Sequence, residues 1–299
     1  MAAKFREVTK YSGVDEDLSP SYQGIVVPLK GANQVMLGDG AGLTVRPNLP
    51  SMVTVKEITS NYPASLTAGQ TANLKSGALR LFEISADVVP GMDKAYVTAK
   101  DSKRVEKAKL KVLVLRPRPA TISIRPVYVL QGTQEVLLTK FSGGAQALVD
   151  EMNAIWIPQA NVVFTLESPA KAVIKGISPQ ATAVDIMNAA ILKELIAAKG
   201  SAKGLTAFMV NQALDNGKVV NGVTNAKDGV ALISDNRGDS TIAHEAGHYL
   251  GAVDDKGKFI SKYGHPGSQA VEMLMRDGGS GRKIPYGMVP DFNKGYTSK

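Results

Sequence analysis

His244 and His248 stand four residues apart in STIAHEAGHYLGAVDD (Ser240–Asp255), and Glu245 directly follows the first of them. On a helix, positions i and i+4 share a face, so both imidazoles can reach one ion. Glu245 is turned off that pair, yet can meet a water held on the ion, which is what the H-E-x-x-H spacing supplies. Zinc suits such a set, because it takes nitrogen and oxygen ligands at about 2.0–2.2 Å and tolerates an open fourth position. Leu250–Gly251 is expected to end the helix, with glycine adopting the left-handed conformation that reverses the chain. That turn would swing Asp254 back as a third, carboxylate ligand. His265, in KYGHPGS, is the competing ligand, and its other reading is a surface loop residue. Asp255 is one place off register and is expected to be solvated. The plain alternative for the whole stretch is a helix face that carries His and Glu without binding a metal.

The elements expected to position these groups lie between residues 119 and 299. ATISIRPVYVLQ reads as a strand, and GGAQALVDEMNAIWIPQ places Leu148, Met152 and Ile155 on one helical face. NVVFTLES is a second strand. ATAVDIMNAAILKELIAAK reads as an amphipathic helix with Val184, Met187, Ile191 and Leu195 at helical spacing. GLTAFMVNQ and GVALISD are further strands, followed by the motif and a Gly-rich tail with little regular structure. This order predicts a mixed α/β (α+β) domain. Within the tail, GGSGRK (Gly278–Lys283) lacks the spacing of a nucleotide-binding loop and reads as a wall of the cleft.

Residues 1–118 have a different character. GIVVPLK, NQVMLG, GLTVRP, MVTVKEI, ALRLFEIS and AYVTAK read as strands between turn signals. In VEKAKLKVLVL, Lys107, Lys109 and Lys111 alternate with apolar residues, the period of a half-buried strand with a basic face. No segment shows sustained helical periodicity, so an all-β, sandwich-like domain is expected. Pro117 and Pro119 flank Arg118 in a stiff connection that places the domain boundary at 118/119.

Composition narrows the function classes. The 299 residues contain no cysteine, which excludes disulfides, thiol nucleophiles and Cys-ligated zinc. No run approaches the roughly 18 apolar residues of a membrane span. The start, MAAKFREVTKYSG, lacks the apolar core of a signal peptide. The protein is therefore expected to stay inside the cell, to have lost a leader, or to be exported without one. Of the net charge of +8, residues 1–118 carry +6 (17 Lys/Arg against 11 Asp/Glu). Attraction to an anionic surface or envelope component would thus come mostly from that part. No nucleic-acid-binding module is present.

The stretch HEAGHYLGAVD resembles the extended zinc signature of the metzincin metallopeptidases, H-E-x-x-H-x-x-G-x-x-H, with aspartate in the last place as in the bacterial snapalysin-type enzymes. The resemblance covers roughly residues 120–299. It implies a metzincin-like zinc peptidase domain with His244, His248 and Asp254 as ligands and Glu245 as general base. It also implies a methionine turn beneath the metal, supplied by VEMLMRDGG, with Met275 the better candidate and Met273 the alternative. MNAIWIPQANVVFTL is similar to the helix-to-strand passage that opens such domains, and GVALISD stands where the family has the edge strand lining its cleft. A tyrosine often binds the oxyanion in this clan; Tyr286 is the candidate, with Tyr249 and Tyr263 behind it. The implied activity is a zinc-dependent endopeptidase acting on peptide or protein substrates. A narrower version is a toxin-like or cell-wall-directed peptidase whose basic N-terminal domain delivers or docks it. The contrasting reading is a binding protein whose zinc site is vestigial, and a further one makes residues 1–118 an inhibitory pro-region.

Overall fold

The computed structural model describes residues 3–10, 12–19, 22–167, 170–252, 274–275, 281–284 and 286–294. Among these the chain is mixed α/β, with four β-sheets and five α-helices, and its N-terminal region is mostly strands. It divides into two units. One comprises Met1–Arg118 with Trp156–Val162 and Ile284–Lys299; the other comprises Pro119–Ile155 with Val163–Lys283. None of the described helices is long and apolar enough to cross a membrane.

In the first unit, nine strands form, some from segments that alternate in burial, such as the start of the strand at Glu106–Leu115, and some from runs of consecutive buried apolar residues, such as Ile25–Val27. They are β1 (Lys4–Glu7), β2 (Val14–Ser19), β3 (Tyr22–Pro28), β4 (Gly31–Gly38), β5 (Thr44–Pro47), β6 (Val53–Ile58), β7 (Leu79–Ala86), β8 (Ala95–Lys100) and β9 (Glu106–Leu115). One sheet has the order β1-β4-β7-β6 and is antiparallel throughout; the other has the order β2-β3-β9-β8-β5, with only β3 and β9 parallel. A single apolar cluster draws on both, including Phe5, Ile25, Val35, Phe82, Val97 and Leu110. Lys109 and Lys111 alternate with those buried positions, as the basic-face reading expects.

The region is not all-β. Helix α1 (Ala68–Lys75) starts at Thr67, whose side chain accepts from Gln70 N–H while the Gln70 side chain accepts from Thr67 N–H. Such a capping box needs no apolar periodicity, which is why a search for amphipathic spacing passes over it. The later segments of this unit are tied in by specific contacts. The rings of Trp156 and Phe292 meet edge to face with centroids 5.0 Å apart, and the Asn293 side chain donates to Arg116 O and Ala160 O. The C-terminal stretch includes a 3₁₀ turn (Tyr286–Met288) and a short α-helix at Val289–Phe292.

The second unit contains β10 (Arg118–Gln131), β11 (Gln134–Leu137), α2 (Ala145–Ala160, in part), β12 (Val162–Leu166), β13 (Ala172–Ile174), β14 (Val184–Asp185), α3 (Ala189–Lys199), β15 (Leu205–Val210), β16 (Ala213–Asp215), β17 (Lys218–Val220), β18 (Gly222–Asn225), β19 (Val230–Ser234) and α4 (Thr241–Ala252). Only Arg116 and Pro117 separate β9 from β10. The main sheet has the order β11-β10-β15-β19-β18, with β12 and β13 also paired to β10. β10, β15 and β19 are parallel, and β18 runs antiparallel to β19. A smaller sheet joins β14, β16 and β17.

Two sequence expectations change here. GVALISD becomes β19, an interior strand paired on both sides, so the edge of the sheet falls on β18 instead. Five consecutive fully buried side chains, Val230 to Ser234, agree with a strand covered on both faces. The helix expected over 181–199 begins only at Ala189. Asn188 caps it by accepting from Ala190 and Ile191 N–H, and Asp185 accepts from Met187 N–H just before. Val184 belongs to a strand and Met187 is 63% exposed, so their helical spacing with Ile191 and Leu195 was coincidental.

Candidate metal and catalytic site

The faces of the main sheet follow from its register. Phe208, Val210, Val230 and Leu232 join Leu195 of α3 in one cluster. Ala207, Met209, Ala231 and Ile233 alternate with them and point the other way. Gly222 faces Ile233, and Thr224 faces Ala231, across the β18–β19 pair. Both touch α4, since Thr224 Oγ1 contacts Glu245 and a Cβ on Gly222 would meet Glu245 Oε1 and Thr241 Cγ2 at 2.8 Å. Helix α4 therefore covers the face opposite α3. Its residues from Thr241 to Gly247 are all buried, so the motif is not a solvated helix face.

His244 and His248 project from the same side, as their spacing requires. Their Nε2 atoms are 3.1 Å apart and their rings meet at 80°. His244 Nδ1 lies 2.5 Å from Leu274 O. A carbonyl only accepts, so this nitrogen carries the proton, and in the neutral ring Nε2 presents its lone pair toward His248. Two nitrogen ligands of one tetrahedral zinc are roughly 3.3 Å apart when each bond is about 2.0–2.1 Å. The pair fits that demand in spacing, tautomer and donor type. Metal-binding imidazoles are typically oriented by an outer hydrogen bond, and the Leu274 carbonyl stands where it could supply one to His244.

Leu274 is itself fixed, its N–H donating to Lys283 O at 2.8 Å. Met275, the methionine-turn candidate, follows immediately and is buried. Asp254, Asp255, Tyr263, His265 and Met273 lie outside the described residues. Among the described residues no three His, Asp or Glu side chains gather at one point. Helix α4 runs through Gly251 to Ala252, so Gly251 lies in its last turn and not beyond its end.

Glu245 is 3% exposed. Its Oε2 accepts a 2.6 Å hydrogen bond from Thr224 Oγ1. Burial pushes the carboxyl up to about 7; the Thr224 bond opposes that rise and the charge of Asp215 adds to it. Of the tyrosines, Tyr249 is half-buried on α4 with its ring near Gly229. Tyr286 is buried and groups with the first unit, where its N–H donates to Asp15 Oδ2 at 3.0 Å.

Sequence reasoning missed β18 and the Leu274 carbonyl. A signal for β18 existed in Asp215-Asn216-Gly217-Lys218, the two-residue hairpin signature. Asn216 and Gly217 both take positive φ there, and the hairpin of β16 and β17 delivers the chain to Gly222. In comparison with known proteins, the chain matches no family model and no curated protein.

Proposed function

We propose that the chain is a zinc-dependent endopeptidase with a metzincin-like catalytic domain and an N-terminal, sandwich-like accessory domain. The observation that carries this reading is the 3.1 Å convergence of the two Nε2 atoms, with His244 locked by Leu274 O and an acid buried one residue on. His244 and His248 would hold the metal with Asp254 as third ligand, His265 being the alternative. When bound there, zinc supplies Lewis acidity that brings a water toward ionisation near neutral pH and charge that offsets a developing oxyanion.

The chain's own residues do the rest. Glu245 accepts a proton from the water whose oxygen forms the new C–O bond at the peptide carbonyl. It then passes that proton to the amide nitrogen as the C–N bond breaks, so the products are a carboxylic acid and an amine. The peptide would lie extended along the outer edge of β18, as an added strand. Met275 would serve as an apolar floor. The excess positive charge of residues 1–118 supports docking on an anionic surface or envelope component. A buried glutamate held by a dedicated hydrogen bond favours catalysis over a vestigial metal site, which has no use for it.

The test is cleavage of a diverse unstructured peptide library by zinc-loaded protein beside Glu245→Gln. Cutting by the wild type alone, with equal zinc in both, is expected. One tightly bound zinc and no cutting by either would overturn the peptidase reading in favour of a metal-containing binding protein.

A further inference from the structure

Ser234 N–H donates to Asn221 O at 2.9 Å, immediately before the register pairs Gly222–Ile233 and Thr224–Ala231. Residues in an antiparallel pair alternate between hydrogen-bonded and non-hydrogen-bonded positions. Asn221–Ser234 is a bonded position, so Gly222 and Thr224 turn their main-chain N–H and C=O away from β19. They point to the outer edge of β18, where among the described residues no further strand pairs. The side-chain positions of the same two residues face α4. Thr224 Oγ1 holds Glu245 Oε2 at 2.6 Å, and its other contact, Glu245 O at 3.3 Å, is much longer. Gly222 leaves the space that Glu245 occupies, because an added Cβ would lie 2.8 Å from Oε1 and 2.9 Å from Cγ.

We propose that Thr224 is a positioning residue for Glu245, and that Gly222 and Thr224 join substrate binding to base placement by serving both through opposite sides of one strand. The inference rests on the peptidase reading. An extended peptide that pairs with β18 takes its main-chain hydrogen bonds from Gly222 and Thr224. It thereby steadies the strand whose hydroxyl aims the base. The carboxylate is then set by the edge that recognises substrate, and α4 alone does not determine its rotamer.

The experiment compares wild type, Thr224→Val and Thr224→Ser, all zinc-loaded, on one peptide cleaved by the wild type. Valine keeps the shape and removes the hydroxyl. It should lower kcat about 10- to 100-fold, as loss of a hydrogen bond to a charged group does, with KM and zinc content unchanged. Serine should recover most of the rate. Wild-type kcat in Thr224→Val overturns the positioning role and leaves the peptidase reading intact. A rise in KM alone overturns it too, because Thr224 would then act only in binding, and so does a serine variant as slow as valine. Failure of the wild type to cut any peptide sinks the underlying reading instead. Gly222→Ala gives a second arm: it should lower kcat while zinc binding persists.

Discussion

Helices α3 and α4 cover opposite faces of one sheet and do so on different terms. α3 buries one stripe, with Leu195 fully enclosed and Ile191, Leu192 and Ala198 partly so, and keeps Lys193 and Ile196 in water. It is capped at Asn188. α4 is buried on nearly every side through its first two turns and takes His244 and Glu245 in with it. Burying an acid costs free energy that apolar residues at those positions would not incur. A fold needs helices like α3; it does not need a helix like α4, and the excess cost is what the proposed catalytic role of Glu245 would account for.

That contrast can be broken at several points. The largest effect is expected for Glu245→Gln, which should lower kcat by about 10²- to 10⁴-fold with zinc retained, measured on a cleavable peptide. Leu195→Ala should do the reverse, costing about 2–5 kcal/mol in denaturant unfolding while the folded fraction keeps its specific activity. If Leu195→Ala abolished turnover in protein that remains folded, the two helices would not divide labour as described.

The acid itself allows a pH test in metal-free protein. The folded-state pKa of Glu245, about 7, lies above its ordinary 4.5. The folded protein therefore binds this proton more tightly than the unfolded chain does. Its stabilising effect is fully present below the unfolded value and is lost as pH rises through the folded one. Relative to Glu245→Gln, wild-type stability should fall by about 3 kcal/mol between pH ~4.5 and ~8. Parallel curves for the two proteins would remove the claim that burial of this carboxyl is costly. The smallest effect belongs to α3: Asn188→Ala should cost about 1 kcal/mol by leaving Ala190 and Ile191 N–H without their cap, with kcat unchanged.

The sequence alone determined much of this molecule. Strand-like segments between turn signals located β3 to β8, and period-two alternation located β9, because a strand's pattern is local. The His-Glu-x-x-His spacing put both imidazoles on one side of α4, because helical pitch is local too. Where local signals were equivocal, tertiary context decided. Val184 and Met187 kept helical spacing with Ile191, yet pairing with β16 drew Val184 into a strand, and Asn188 began the helix after them. Whether GVALISD was an edge or an interior strand depended on β18, which reaches it only through the turn at Asn216–Gly217. The partners of the motif are likewise distant in sequence: Leu274 lies 30 residues beyond His244, and Thr224 lies 21 before Glu245. A backbone carbonyl has no sequence signature, and a threonine on a four-residue strand has almost none. Spacing could nominate the ligands and the base. Only the packing of α4 against β18 and Leu274 fixed the imidazole's tautomer, the acid's burial and its hydrogen bond to Thr224.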